Sequence, residues 1–306
     1  PTMTTIGGIV TPICTPLDAE GAVDERGIER LVGRQLDAGV DALFALGSSG
    51  EAIYLDDEAR ARVLQVVVST VSGAVPVLAG ALAGSTARVL EQMRWIERFE
   101  VAAVVVTAPF YADVSDDETV AHFEHVAAAS PVAVIAYDIP GNVGRKLPTD
   151  GVIDLLRRGV LAGLKDTSGD LPAFQRVLRE VGGDPRRTLM IGSDRLASEA
   201  LATGADGVVP GIGNVCPDLF VELYRAHRAG DAGEVRRLQA LVDIMAGILD
   251  VGRAHGLGRH ASELGALKYL LHREGIIASP RSSVPLAAFP AAAGAEVLAI
   301  AAQAGR

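Results

Sequence analysis

The chain has 306 residues, 49% of them hydrophobic but only 4% aromatic, so it can build a large core, mostly from Ala, Val and Leu. A formal net charge of −10 argues against nucleic acid or an anionic membrane as partner, while leaving room for an anionic substrate at a local positive group. Two cysteines, Cys14 and Cys216, form neither a disulfide framework nor a spaced metal site.

The N-terminal run PTMTTIGGIVTP lacks the charged start and long apolar stretch of a secretion signal. No apolar run reaches membrane-spanning length, and a soluble cytoplasmic protein is expected. From there the chain alternates short β-rich runs with amphipathic stretches of helical length. Residues 7–16 read as a first strand, ended by prolines, and 25–39 as a helix with Ile28, Leu31, Val32 and Leu36 on one face. Strand 42–51 runs into a glycine-bounded loop, and helix 56–73 opens on Asp56 and Asp57, which favour a helix start. Strands at 76–83, 101–111 and 131–140 alternate with helices at 85–100, 116–130 and from Pro148 to about Arg158. The sixth strand, 161–170, is followed by helix 171–183, the seventh, 188–194, by helix 195–205, and the eighth spans 206–214.

Eight such pairs, all with strands reading as buried apolar runs, predict a (β/α)8 TIM barrel. After residue 215 the strands stop. Segments 217–229, 231–252, 260–274 and 287–304 all read as helices, so 1–215 holds the barrel strands with the first seven helices and 216–306 the last barrel helix and a C-terminal helical extension.

In a barrel of this kind reactive groups belong at the C-terminal ends of the strands. Those ends carry Gly47-Ser48-Ser49-Gly50-Glu51, then Pro109-Phe110-Tyr111, then Tyr137-Asp138-Ile139-Pro140. Next come Lys165 with Asp166, Thr167 and Ser168, then Gly192-Ser193-Asp194, and Pro210-Gly211-Ile212-Gly213-Asn214. Lys165 stands out because it interrupts the apolar run VLAGLKD; a buried, unpaired amine is costly and is a usable nucleophile. The competing reading is a strand-end lysine that snorkels to solvent. A lysine, two tyrosines and two serines at one mouth suit carbonyl chemistry through an imine, with a tyrosine and a hydroxyl chain moving protons. Backbone N–H groups of the GSSGE turn and its two serines form a plausible carboxylate cradle.

Three other features carry less. His122 and His125 lie one turn apart without a third ligand, so a solvated helix face is expected and no metal. Cys14 reads as a small buried hydrophobe. The GIGN run at 211–214 lacks the rest of a dinucleotide fingerprint.

GSSGE at 47–51, YDIP at 137–140 and GLKDTSGD at 163–170, in this order, resemble the family of dihydrodipicolinate synthase and N-acetylneuraminate lyase, the pyruvate-dependent class I aldolases. The resemblance spans essentially the whole chain. It implies that Lys165 forms the imine, with no cofactor beyond that covalent bond, and that Tyr137 shuttles protons. Ser48 and Ser49, after Gly47, would hold the pyruvyl carboxylate, with Ser48 also in the relay. Tyr111 would correspond to a tyrosine that reaches in from a neighbouring subunit, which implies a homotetramer built as a dimer of dimers.

Substrate choice rests on departures from that pattern. The synthases place an arginine where this chain has Asn142, and an amide supplies neither the charge nor the fork of a guanidinium. Arg145, three residues on, is a possible substitute. Asp194, with Gly192 before it and Gly211 and Thr167 at neighbouring strand ends, suits hydroxyl recognition. Arg195 stands where neuraminate lyases carry Glu, and it could face an acidic aldehyde. The expected reaction is reversible cleavage of a 2-keto-3-deoxy sugar acid or 4-hydroxy-2-oxo acid to pyruvate and an aldehyde. Condensation of pyruvate with aspartate semialdehyde is the alternative, and a catalytically silent pyruvate-binding barrel the third reading.

Overall fold

The computed structural model describes residues 6–306; the reading of the N-terminal run falls partly on residues 1–5, outside the described residues. Eight strands are β1 (Gly8–Pro12), β2 (Ala42–Ala45), β3 (Val77–Gly80), β4 (Ala103–Thr107), β5 (Ala133–Asp138), β6 (Gly163–Asp166), β7 (Thr188–Ile191) and β8 (Gly207–Val208). They pair in sequence order, all parallel, and close with β8 on β1. The helices between them are α1 (Glu25–Ala38), α2 (Asp57–Val71), α3 (Thr86–Ile96), α4 (Asp116–Ala129), the single turn α5 (Pro140–Val143), α6 (Thr149–Arg157), α7 (Leu171–Val181) and α8 (Ala197–Ala202). Then follow α9 (Pro217–Arg228), α10 (Ala232–Ala246), α11 (Ile248–Ala254), α12 (Arg259–Arg273) and α13 (Ala291–Gln303). No helix among the described residues is long and apolar enough to cross a membrane.

Local chemistry fixes the element ends. Asp24, Asp56 and Asp170 each accept a backbone N–H of the first turn of the helix they precede, and Ser115 with Glu118 closes a reciprocal capping box on α4. Gly39 ends α1 in the left-handed conformation. Strand residues are almost all buried because the barrel covers both of their faces, its interior side chains within and the helices without.

The strands are shorter than their apolar runs suggested. Residues 206–214 contribute only Gly207 and Val208 to the ladder, and the rest becomes loop and a turn in which the Asn214 side chain bonds Cys14 N, Pro12 O and Gly211 O. The stretch 231–252 is not one helix but α10 and α11, parted at Gly247. The last helix begins at Ala291 rather than 287: Pro290 sits at its N-cap and Phe289 packs against Gly265, where a Cβ would lie 2.5 Å from the ring.

The C-terminal helices are tied to the barrel by a buried ion pair. Lys268 of α12 and Glu51, both inaccessible to solvent, meet directly; Lys268 Nζ also donates to Arg281 O (2.8 Å), and Glu51 accepts Ser283 N (2.6 Å). The turn after β2 and the segment after α12 are thereby held as one piece.

Candidate active site

Strand register sets the site. Tyr137 on β5 pairs with Lys165 on β6, and both side chains are buried at the C-terminal end of the barrel. Lys165 Nζ lies 3.9 Å from the Tyr137 ring centroid and 4.8 Å from that of Phe44, and those two rings meet edge to face. Among the described residues no carboxylate pairs with Lys165, and its amine lies against two aromatic rings.

Alternation along the strands sends the next residues outward. Asp138 and Asp166, both buried, face Lys146, which donates to Asp138 (2.7 Å) and Ser168 (3.0 Å) and lies 3.8 Å from Asp166. Asp138 also accepts Leu147 N (3.1 Å), and Asp166 accepts both the backbone N–H and the hydroxyl of Ser168 (2.7 Å each). Burial outweighs these bonds and holds the Asp166 carboxyl above its ordinary range. The network locks the ends of β5 and β6 side by side, and with them Tyr137 and Lys165. Sequence reasoning passed over Lys146, since nothing in GRKLP marks it as the partner of two strand-end acids.

A cleft of about 310 Å³ opens above Lys165. Ser48, Ser49, Tyr137, Asn142, Lys165, Thr167, Gly192, Asp194 and Gly211 line it, together with Arg195. The turn carrying Ser48 and Ser49 lies between Leu46 (φ 58°) and Glu51 (φ 56°), two non-glycine residues in the left-handed region, where strain is retained by the surrounding packing. Gly47 does not line the cleft; it lies under the Phe44 ring, which a Cβ would approach to 2.7 Å. Gly192 is required by its neighbours: a Cβ there would fall 2.0 Å from Thr167 Oγ1 and 3.1 Å from Lys165 Cε. The Thr107 and Thr167 hydroxyls are buried without a hydrogen-bond partner.

Asp194 accepts Ile212 N (3.2 Å) at the cleft wall, and burial, reinforced by the Glu263 charge, pushes its carboxyl up to about 7. Tyr111 is placed elsewhere. Its side chain is fully exposed, its backbone sits at φ 82°, and it does not line this chain's cleft.

Two expectations are corrected. Arg145 does not substitute at position 142; it pairs with Asp116 (2.7 Å) at the start of α4. His122 is no solvated face residue. It is buried between Thr86 Oγ1 (2.9 Å) and Thr107 O (3.2 Å), and burial lowers its pKa to about 4. Among the described residues no three His, Cys, Asp or Glu side chains are grouped to hold a metal. The C-terminal helices supply part of the cleft wall: Ala246, Leu249, Arg259, His260, Glu263, Leu264 and Leu267. Arg259 reaches the loop after β5 and donates to Asn142 Oδ1 (2.5 Å) and Gly141 O (2.9 Å). No sequence signal pointed to it, because it lies 117 residues from Asn142 on a helix with no motif. Cys14 is buried with its thiol pushed up to about 12, in keeping with a packing role.

Comparison with known proteins places the fold in a family. Residues 5–302 match the model of the dihydrodipicolinate synthetase family. A 4-hydroxy-tetrahydrodipicolinate synthase of Methanopyrus kandleri is 34% identical over 236 residues, 76% of this chain and 78% of that protein. A DapA-like lyase of Halobacterium salinarum, itself uncharacterised, is 35% identical over 77% of this chain and 76% of its own length. Among solved structures, YagE of E. coli K12 in complex with pyruvate superposes with a TM-score of 0.89 at 26% identity, covering 98% of both chains. Barrel topology, strand-end chemistry and a family match over nearly the full length agree: the chain belongs to the dihydrodipicolinate synthetase family and is a pyruvate-dependent carbon–carbon lyase.

Proposed function

We propose that this chain is a Schiff-base aldolase that reversibly cleaves a 2-keto-3-deoxy sugar acid or 4-hydroxy-2-oxo acid to pyruvate and an aldehyde. The observation that carries the proposal is the buried amine of Lys165, 3.9 Å from the Tyr137 ring centroid and without a carboxylate partner among the described residues. In this reading Lys165 Nζ adds to the C2 carbonyl, and water leaves with a proton relayed through Tyr137 and Ser48. The resulting iminium accepts the electron pair of the C3–C4 bond as it breaks, while Tyr137 takes the C4 hydroxyl proton. The aldehyde departs, the enamine is protonated at C3, and water returns to C2 to release pyruvate and the free lysine. Ser48 and Ser49 hold the carboxylate throughout, Thr167, Gly192 and Gly211 shape the wall, and Asp194 accepts hydroxyl hydrogen bonds. No cofactor is needed, because the imine itself is the electron sink.

Tyr111 enters this scheme from a neighbouring copy of the chain in a homotetramer. Its full exposure on a strained backbone supports that role, and sedimentation of the wild type against Tyr111→Ala tests it.

A second reading has its own support. Arg259, bonded to Asn142, brings a guanidinium to the loop where the synthases carry theirs, which would suit condensation of pyruvate with aspartate semialdehyde. Two measurements decide. Borohydride reduction with pyruvate should leave one 1-carboxyethyl group, the reduced imine, on Lys165, seen by mass spectrometry; its absence overturns both imine readings. Pyruvate release from a panel of 2-oxo-3-deoxy acids, run beside the condensation assay, then separates them, and efficient condensation without cleavage overturns the first.

A further inference from the structure

The cleft is lined on one side by the pyruvyl-binding groups and on the other by α12, so the aldehyde half of any substrate faces that helix. We infer that Arg259 is a substrate-binding residue and that the substrate's aldehyde half ends in an anionic group, a carboxylate or a phosphate ester. The inference rests on the imine reading above, and it names the substrate class for that site.

Arg259 is half-exposed at the rim, yet it is held. Its Nη2 donates to Asn142 Oδ1 (2.5 Å) and Gly141 O (2.9 Å), and both acceptors are neutral. Gly141 makes the approach possible, since a Cβ there would lie 3.3 Å from Nη2. Glu263 Oε1 stands 3.5 Å from Nη1, at the outer limit of a hydrogen bond, and so leaves Nη1 available for a stronger acceptor. Many arginines of the chain instead sit in close ion pairs, such as Arg145 with Asp116 (2.7 Å) and Arg237 with Glu234 (2.6 Å). Arg195, on the same rim, is likewise loosely engaged, 4.0 Å from Asp250 and 3.3 Å from Asp243 O.

The other titratable groups of the rim are Asp194, His260 and Glu263. Two loosely paired guanidinium groups face two carboxyls, one of them with its pKa near neutrality, so the rim is not net repulsive to an anion. With Nη2 of Arg259 committed to Asn142 Oδ1 and Gly141 O, Nη1 is the donor free to give a carboxylate or phosphate oxygen a charge-assisted hydrogen bond, from a guanidinium already fixed in place. Asn142 is then a positioning residue: the amide that replaces the synthase arginine orients an arginine delivered from α12.

The test compares kcat/KM for pyruvate release from three substrates: a 4-hydroxy-2-oxo dicarboxylic acid, a 2-keto-3-deoxy sugar acid with a neutral tail, and its phosphorylated counterpart. The wild type should favour one of the two anionic substrates over the neutral one, and which of the two identifies the anion. Arg259→Gln should collapse that anionic-to-neutral ratio by about tenfold to a hundredfold, the size of a lost charge-assisted hydrogen bond. Arg259→Lys should recover part of it. Asn142→Ala should raise KM for the anionic substrate with little change in kcat. A merely structural role for Arg259 would depress all three substrates alike and leave the ratio intact, which would overturn the inference, as would a wild-type preference for the neutral substrate. Failure of borohydride trapping in the wild type would instead overturn the imine reading, and this inference with it.

Discussion

Two of the chain's three lysines are buried, and they differ in everything except burial. Lys268, with no accessible surface, is neutralised by Glu51 and bonded to Arg281 O. Lys165, 4% exposed, has aromatic faces around its amine and no carboxylate partner among the described residues. Burial therefore does not mark a catalytic lysine. In the reading proposed above, what marks it is burial without a counter-charge, at a strand end that opens on a cleft. The first arrangement joins two parts of the fold, and the second leaves the amine free for the imine proposed above.

That contrast predicts a crossover. Lys165→Met should lower kcat/KM by about 10⁴-fold or more, because the nucleophile itself is gone. Its thermal midpoint should stay the same or rise, since an apolar side chain of similar length replaces an unpaired buried amine. Lys268→Met should do the reverse and destabilise by about 3–5 kcal/mol, because Glu51 is left in the core without a counter-charge. Adding Glu51→Gln should return much of that loss. Urea unfolding and borohydride trapping together read both columns, and a Lys268→Met protein of wild-type stability would break the comparison.

Tyr137→Phe sharpens the Lys165 side. The ring stays against the amine, so trapping with pyruvate should persist at a reduced rate, while cleavage falls by about a hundredfold or more through loss of the proton shuttle. Wild-type rates in both assays would show that the ring, not the hydroxyl, is what matters. Gly192→Ala should have a smaller effect, about 1–3 kcal/mol in stability with a raised KM, as the new methyl displaces Thr167 and crowds Lys165.

The sequence speaks clearly where local pattern and tertiary role coincide. Eight parallel strands buried on both faces must read as apolar runs, and the alternation with amphipathic helices then leaves few architectures. Lys165, Tyr137 and the Ser48–Ser49 turn were legible because a strand end in a barrel points to one mouth. Lys268 was not, since a lysine in the helical stretch ALKYLL is ordinarily solvated and its partner lies 217 residues earlier in the chain. Arg259 was hidden for the same reason: its role exists only where α12 crosses the loop after β5. The break at Gly247 was masked by good helix formers on both sides.

The smallest effect concerns Asp194, whose carboxyl burial raises from an ordinary value of 3.8 to about 7. The folded state therefore holds this proton over a range where the unfolded chain has lost it. Between those two values the folded form binds more protons, so this group's contribution to stability falls as pH rises and levels off above about 7. For binding the sign is opposite: above 7 the carboxylate accepts hydrogen bonds from a substrate hydroxyl, and below 7 the neutral acid is the poorer acceptor. KM for a hydroxylated substrate should therefore fall as pH rises through about 7, while KM for a substrate lacking that hydroxyl should not follow. Asp194→Asn should abolish this inflection and weaken binding at pH 8 by about three- to tenfold, one neutral-for-charged hydrogen bond. A wild-type profile flat from pH 6 to 8 on every hydroxylated substrate would remove Asp194 from the binding wall and leave Arg259 and Arg195 as the groups that set specificity.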